Sequence, residues 1–170
     1  AFLTGISGWC VIQGGGWLFN PITKEMERHP EITEESFLAL LKLEHEWVPK
    51  IKQEYPEFFH YPGKMGYITL EVHEHNARMS LDDYYAKVKA DKNIQCLEEQ
   101  DLIEVTHSQI AVDIGPTGKN GPINKGSGLW LLAQKTGVHP SKMLVIGDSS
   151  SDHSMFGLGG FRACPNNATP

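Results

Sequence analysis

The chain has 170 residues, of which 40% are hydrophobic and 21% charged, and its formal net charge is -6. That length suits one domain, or a small domain carrying an insertion. The acidic balance excludes a general nucleic-acid binder, which would show a basic face. Cys10, Cys96 and Cys164 are odd in number, far apart and form no Cys-x-x-Cys pair. They read as free thiols in a reducing compartment, the cytoplasm, and not as disulfides or zinc ligands.

The first charged residue is Lys24, but Gly5, Gly8, Gly14, Gly15 and Gly16, with Thr4, Ser7 and Gln13, make a poor lipid helix. No basic segment precedes them, so neither a membrane span nor a signal peptide is expected. Ala1 in place of Met, and the stop at Asn167-Ala168-Thr169-Pro170, read as cut ends. Trp9 to Ile12 and Trp17 to Phe19 predict two short strands about a turn at Gly14-Gly15-Gly16, closed by Asn20-Pro21.

A helix is expected from Thr33, an N-cap followed by Glu34 and Glu35 in the first turn. Phe37, Leu40, Leu41, Trp47, Val48 and Ile51 fall at helical spacing and read as core, and Tyr55-Pro56 ends the run. Tyr67 to His75 alternates, with Ile68, Leu70 and Val72 on one face and Glu71, His73 and His75 on the other, as a half-buried strand does. Ser80 and Asp83 resemble a capping box for a helix using Leu81, Tyr84, Tyr85 and Val88. Leu102 to Thr106 and Gln109 to Ile114 suggest an antiparallel pair.

Beyond the Gly/Pro-rich stretch Gly115 to Pro122 the character changes. A helix is expected from Lys125, through Leu129, Leu132 and Ala133, to Gly137. Met143 to Ile146 is a continuous apolar run, as in a parallel strand buried on both faces. The loop Gly147 to Asp152, a short helix at Met155-Phe156 and a strand near Phe161 to Cys164 follow. An α+β middle thus precedes an α/β end.

Gly147-Asp148-Ser149-Ser150-Ser151-Asp152 follows that buried strand, so Asp148 is delivered to the carboxyl edge of a sheet, where open α/β sheets bind ligands. Two carboxylates four residues apart can supply oxygen ligands to Mg²⁺, directly or through water. An acidic loop that simply caps a helix is the alternative. Lys125 stands at a helix start, where a cation opposes the dipole. A lysine placed there serves a phosphate or a carboxylate, unless it is merely solvated. Glu71, His73 and His75 on one strand face suit either a metal or plain solvation, and His153 reads as an exposed helix residue.

The lysine-led helix Asn124-Lys125-Gly126-Ser127-Gly128 and the strand-Gly-Asp-Ser-x-x-Asp segment together are similar to motifs III and IV of the haloacid dehalogenase superfamily. Leu144 to Thr169, with Ala163-Cys164-Pro165-Asn166-Asn167-Ala168-Thr169, most resembles archaeal-type phosphoglycolate phosphatases and the related Cof-type and sucrose-phosphate-phosphatase-like members. Val11-Ile12-Gln13-Gly14-Gly15-Gly16-Trp17-Leu18-Phe19 resembles the segment entering their cap, with Gln13-Gly14 in place of the usual Glu-Asn. The resemblance implies an α/β fold: an incomplete Rossmann-like core (residues 1–20 and 116–170) with an inserted α+β cap of the C2 type (residues 21–115).

It further implies a Mg²⁺-dependent phosphatase acting on a small phosphorylated acid or sugar such as phosphoglycolate. Lys125 is then the catalytic and phosphate-binding lysine, and Asp148 and Asp152 serve the metal. Asn167, Glu71 and His73 are substrate contacts. The aspartate nucleophile of the family's Asp-x-Asp-Gly-Thr motif is absent. Asp113-Ile114-Gly115-Pro116-Thr117 lacks the second aspartate and reads as a strand end, while Ala1-Phe2-Leu3-Thr4-Gly5 imitates motif II without its helix. The rival reading is a non-catalytic binding or regulatory relative. The expected partner is a small phosphorylated substrate, with no nucleic acid or membrane; the oligomeric state stays open.

Overall fold

The computed structural model describes residues 8–168. Thr4 lies outside them. Contacts divide the chain into two compact units, Ala1–Pro30 with Ile123–Pro170, here the split unit, and Glu31–Pro122, the central unit. The junctions fall later than residues 20 and 115, because short pairings hold the flanking residues. In the split unit β1 (Cys10–Ile12) pairs antiparallel with β2 (Trp17–Phe19), and β2 in turn with β3 (Met26–Arg28), a strand the sequence pattern did not suggest.

The central unit begins with α1 (Glu34–Lys42), whose N-cap Thr33 accepts the Ser36 N–H. The helix runs on to α2 (Val48–Glu54) through a π-turn at Leu43–Trp47, where the Val48 N–H reaches back to the Leu43 carbonyl. Pro49 stands near the start of α2 and has no N–H to give the preceding turn, so a wider turn costs the ladder little. After β4 (Phe59–His60) and β5 (Ile68–Glu71) come α3 (Leu81–Ala90) and α4 (Lys92–Glu99). Next are β6 (Ile103–His107), β7 (Ala111–Gly118) and β8 (Gly121–Pro122). The sheet order is β4-β5-β7-β6, all antiparallel, with β8 turning back on β7.

One core joins the helices to one face of this sheet: Leu40, Trp47, Ile51, Tyr84, Val88 and Ile94 pack with Ile68, Leu70, Val72, Val112 and Ile114. β7 runs straight through Gly115-Pro116, which the composition had marked as a connection. Pro116 is tolerated because the chain stays extended there. Asp113 is therefore a mid-strand residue and not a strand end; its carboxylate accepts the Thr69 hydroxyl at 2.7 Å. The strand expected over Tyr67 to His75 stops at Glu71, and His73 instead caps a 3-10 turn over Glu74–Asn76.

The split unit resumes with α5 (Lys125–Thr136), β9 (Leu144–Ile146), α6 (His153–Phe156) and β10 (Phe161–Ala163). β9 and β10 pair in parallel, Leu144 opposite Phe161. The segments assigned to the incomplete core, residues 1–20 and 116–170, do not share one parallel layer among the described residues, because β1 and β9 lie in different sheets. Nor is β9 buried on both faces: Val145 is 4% exposed, whereas Leu144, Ile146 and Phe161 are 60%, 62% and 65% exposed. An apolar run reports an affinity for burial but not which element, if any, supplies it. Among the described residues no helix is long and apolar enough to cross a membrane, and Cys10, Cys96 and Cys164 are free thiols.

Candidate active site

The site is assembled by two chain segments of the split unit, the start of α5 and the loop after β9. Asn124 caps α5 by accepting the Gly126 and Ser127 N–H groups, Ser127 completes a capping box, and Gly137 ends the helix in the left-handed conformation. Capping fixes where the first turn begins, and so where Lys125 points. The Gly126 N–H also donates to the Ser154 hydroxyl at 3.0 Å, which ties the helix start to α6.

Two glycines make this approach possible. A Cβ on Gly126 would lie 2.6 Å from the Ser154 carbonyl oxygen, and one on Gly147 would lie 2.4 Å from the Asp152 Cβ. In an ordinary helix Gly→Ala stabilises by about 0.5–1 kcal/mol. Here the obstruction is backbone, which cannot swing aside, so Gly126→Ala should destabilise by about 1–3 kcal/mol. Urea unfolding of the two proteins reads this directly, and a gain in stability would contradict the close packing.

Lys125 Nζ donates to Asp152 Oδ1 at 2.5 Å and to the Ser151 hydroxyl at 3.2 Å. The cation that opposes its own helix dipole is thus held by a carboxylate. The other Asp152 oxygen, Oδ2, accepts the backbone N–H groups of Asp148 (2.9 Å) and Ser149 (3.2 Å) and the Ser149 hydroxyl (3.3 Å). Asp152 is 3% exposed. Burial alone would raise its pKa, but the Lys125 hydrogen bond and the two loop N–H groups outweigh it and hold the carboxyl below its ordinary value. Lys125, at 41% side-chain exposure, keeps a face toward solvent.

Asp148 sits just past the carboxyl end of β9, exposed, and lines a cavity of about 320 Å³ with Ser149, His153, Arg162 and Cys164. His153 is exposed, as the sequence suggested, and it also faces this cavity. Of the residues singled out in the sequence, Lys125, Asp148 and Asp152 are brought together. Asn167 is exposed near the cavity, whose wall is formed by its neighbour Ala168. Glu71 and His73 belong to the central unit; Glu71 ends β5 opposite Phe59, and the His73 and His75 rings stack at 5.8 Å. No group of three or more His, Cys, Asp or Glu placed to hold a metal occurs among the described residues, at those histidines or elsewhere. Ser151 and Ser154 were not anticipated as site residues, although runs of small hydroxyl residues at a helix start are a capping signal.

The donor set fits Mg²⁺ on one side only. Asp152 spends both oxygens on the lysine and the loop, which favours a positioning part over direct ligation. Asp148, exposed on the cavity with Ser149 beside it, is the carboxylate placed where a hydrated ion could approach, and Mg²⁺ commonly keeps several waters with one or two carboxylates.

Comparison with known proteins gives the family. The haloacid dehalogenase-like hydrolase pattern matches residues 35–170. A phosphoglycolate phosphatase of Methanococcoides burtonii is 33% identical over 95 residues, which are 53% of this chain and 42% of that protein. One of Methanospirillum hungatei is 31% identical over 108 residues, 64% of this chain and 44% of that protein. The chain therefore spans less than half the length of these relatives. The crystal structure of Thermoplasma acidophilum 0175 superposes with a TM-score of 0.57 at 18% identity, covering 98% of this chain and 63% of that one. The fold is accordingly the mixed α/β fold of that superfamily, and with most of its length matched, the chain belongs to the haloacid dehalogenase-like hydrolases.

Proposed function

We propose that the chain is the lysine- and acidic-loop-bearing part of a Mg²⁺-dependent phosphomonoesterase, with residues 31–122 as a C2-type cap. Its substrate is a small phosphorylated acid or sugar, phosphoglycolate being the first candidate, and it works in the cytoplasm. The observation that carries this reading is the Lys125–Asp152 pair set beside Asp148 at the carboxyl end of β9. The phosphoglycolate phosphatase names of the relatives support the substrate class.

In this reading Lys125 neutralises the phosphoryl oxygens, where positive charge held in place is worth most as negative charge builds up. Asp152 keeps the ammonium aimed and fixes the loop that carries Asp148. Asp148 would hold Mg²⁺, which supplies further charge neutralisation to a phosphate when bound. Glu71, His73 and Asn167 are the proposed contacts to the rest of the substrate.

The metal assignment has its own test. Mg²⁺ binding to this chain should be weak, since one carboxylate faces the cavity, and it should vanish in Asp148→Asn. Titration calorimetry showing equal binding by both proteins would remove Asp148 from the metal site. Loss of binding in Asp148→Asn with retention in a His153→Gln control supports it.

A further inference from the structure

The cavity at the Asp148 loop holds one charged side chain that the phosphatase reading leaves unused, Arg162. It is the only lysine or arginine among the residues lining that cavity of about 320 Å³, where Asp148, Ser149 and His153 also stand. β10 brings it there, since Arg162 lies opposite Val145 in the parallel pair with β9. Its Nε donates to the Gly159 carbonyl at 3.2 Å. That stretch of backbone is packed directly on β9, for a Cβ on Gly159 would lie 2.6 Å from the Val145 side chain. An arginine held at Nε still has the N–H groups of its two terminal nitrogens to give.

The two cations that serve this loop are differently matched. Lys125 is already neutralised by Asp152. It also meets the loop through Ser151, whose hydroxyl is bonded to that of Ser149 on the cavity wall. Arg162 takes part in no ion pair among the described residues. A carboxylate brought beside Asp148 is repelled unless a cation receives it. The planar guanidinium fork receives one through two parallel hydrogen bonds and keeps its charge throughout the pH range of the fold.

We propose that Arg162 binds the carboxylate of the substrate, and so selects a phosphorylated acid over a phosphorylated sugar. On the phosphomonoesterase reading, on which this rests, Lys125 meets the phosphoryl group. A small phosphorylated acid has two anionic ends, and the split unit offers a separate cation to each. A sugar phosphate would put hydroxyls against the guanidinium, and these lack both the opposite charge and the two-pronged geometry. The rival use of Arg162 is a second grip on the phosphoryl group itself, which inorganic phosphate esters of any kind would share.

The probes are phosphoglycolate and 2-hydroxyethyl phosphate, which has the same length and a hydroxyl in place of the carboxylate. Each is titrated with Mg²⁺ into the 170-residue chain and followed by the Arg162 Nε–H and Ser149 amide resonances in NMR spectra. Phosphoglycolate should bind the more tightly, by about fivefold or more. Arg162→Gln should bring phosphoglycolate down to the level of 2-hydroxyethyl phosphate and leave the latter within about twofold of the parent. Arg162→Lys, which keeps the charge without the fork, should recover part of the difference. Lys125→Met should weaken both esters alike. Equal binding of the two esters by the parent, or an Arg162→Gln variant that weakens both alike or neither, would overturn the proposal while the phosphate site stands. Binding of neither ester would sink the phosphomonoesterase reading together with it. Arg162 is exposed, so its variants should keep the fold. Were Arg162→Gln to unfold, the ratio of the two esters in the parent and in Arg162→Lys decides.

Discussion

With Mg²⁺ present, the 170-residue chain should hydrolyse p-nitrophenyl phosphate and phosphoglycolate no faster than buffer. Phosphate monoesters are among the slowest of reactions to proceed unaided, so an enzyme must remove a very large barrier. In the family this chain belongs to, an aspartate attacks the phosphoryl group and splits the task into two easier displacements. No Asp-x-Asp-Gly-Thr segment occurs in the sequence. Asp113, the nearest imitation, is bound to Thr69 in the middle of β7 in the central unit. Lys125 can steady charge but cannot attack, and catalytic groups that act as a unit fail together, typically by on the order of 10⁴-fold or more. A chain carrying both these residues and an Asp-x-Asp-Gly-Thr strand should turn over, and lose that turnover with Lys125→Ala. Turnover by the 170 residues alone would refute this account of the nucleophile. Inactivity of the longer chain would favour a binding or regulatory relative.

Elements whose signals are local were readable from the residues. Asn124 and Gly137 bound α5 as expected, and Thr33 and Ser80 cap α1 and α3, because a cap is decided within one turn. The elements missed have little local pattern to show. β3 is Met-Glu-Arg, β4 is two residues long, and α4 buries only Ile94 completely, although Asp91 caps it. The π-turn at Leu43–Trp47 had its marker in Pro49, whose missing N–H was there to be read.

What patterning does not supply is partnership. Leu144, Ile146 and Phe161 have the composition of a doubly covered parallel sheet and yet lie open. At the site, the four-residue spacing of Asp148 and Asp152 correctly suggested a shared loop. It did not reveal that Asp152 turns back onto Lys125 and its own backbone while Asp148 turns to the cavity. That division follows from burial, which depends on the approach of α5 and α6 from elsewhere in the chain.

Asp152 is accordingly where the largest loss of stability from one side chain of the site is expected. Removing it in Asp152→Ala leaves the Asp148 and Ser149 N–H groups without their acceptor at a position 3% exposed. Unsatisfied buried donors cost about 1–3 kcal/mol each; these two are only partly buried, on an exposed and a half-buried residue, so the total loss expected at pH 7 falls in the lower part of the range for two, about 2–4 kcal/mol. The ion pair adds little of its own, since Lys125 is 41% exposed and its ammonium can return to water. Asp152→Asn should recover only part of the loss, because a carboxamide must turn its NH₂ toward either the ammonium or the loop donors. The pH dependence carries the sign. A carboxyl whose pKa is lower folded than unfolded stabilises the fold above its unfolded value, about 3.9 for aspartate, and that contribution disappears as pH falls through the folded value. Urea unfolding curves of the parent and Asp152→Asn should therefore lie well apart at pH 7 and draw together in acid, below the pH at which free aspartate is protonated. A gap that stayed constant well below that pH, where the folded carboxyl also takes up its proton, would mean that the charge of Asp152 does not hold the loop, and that the carboxylate matters only as a shape.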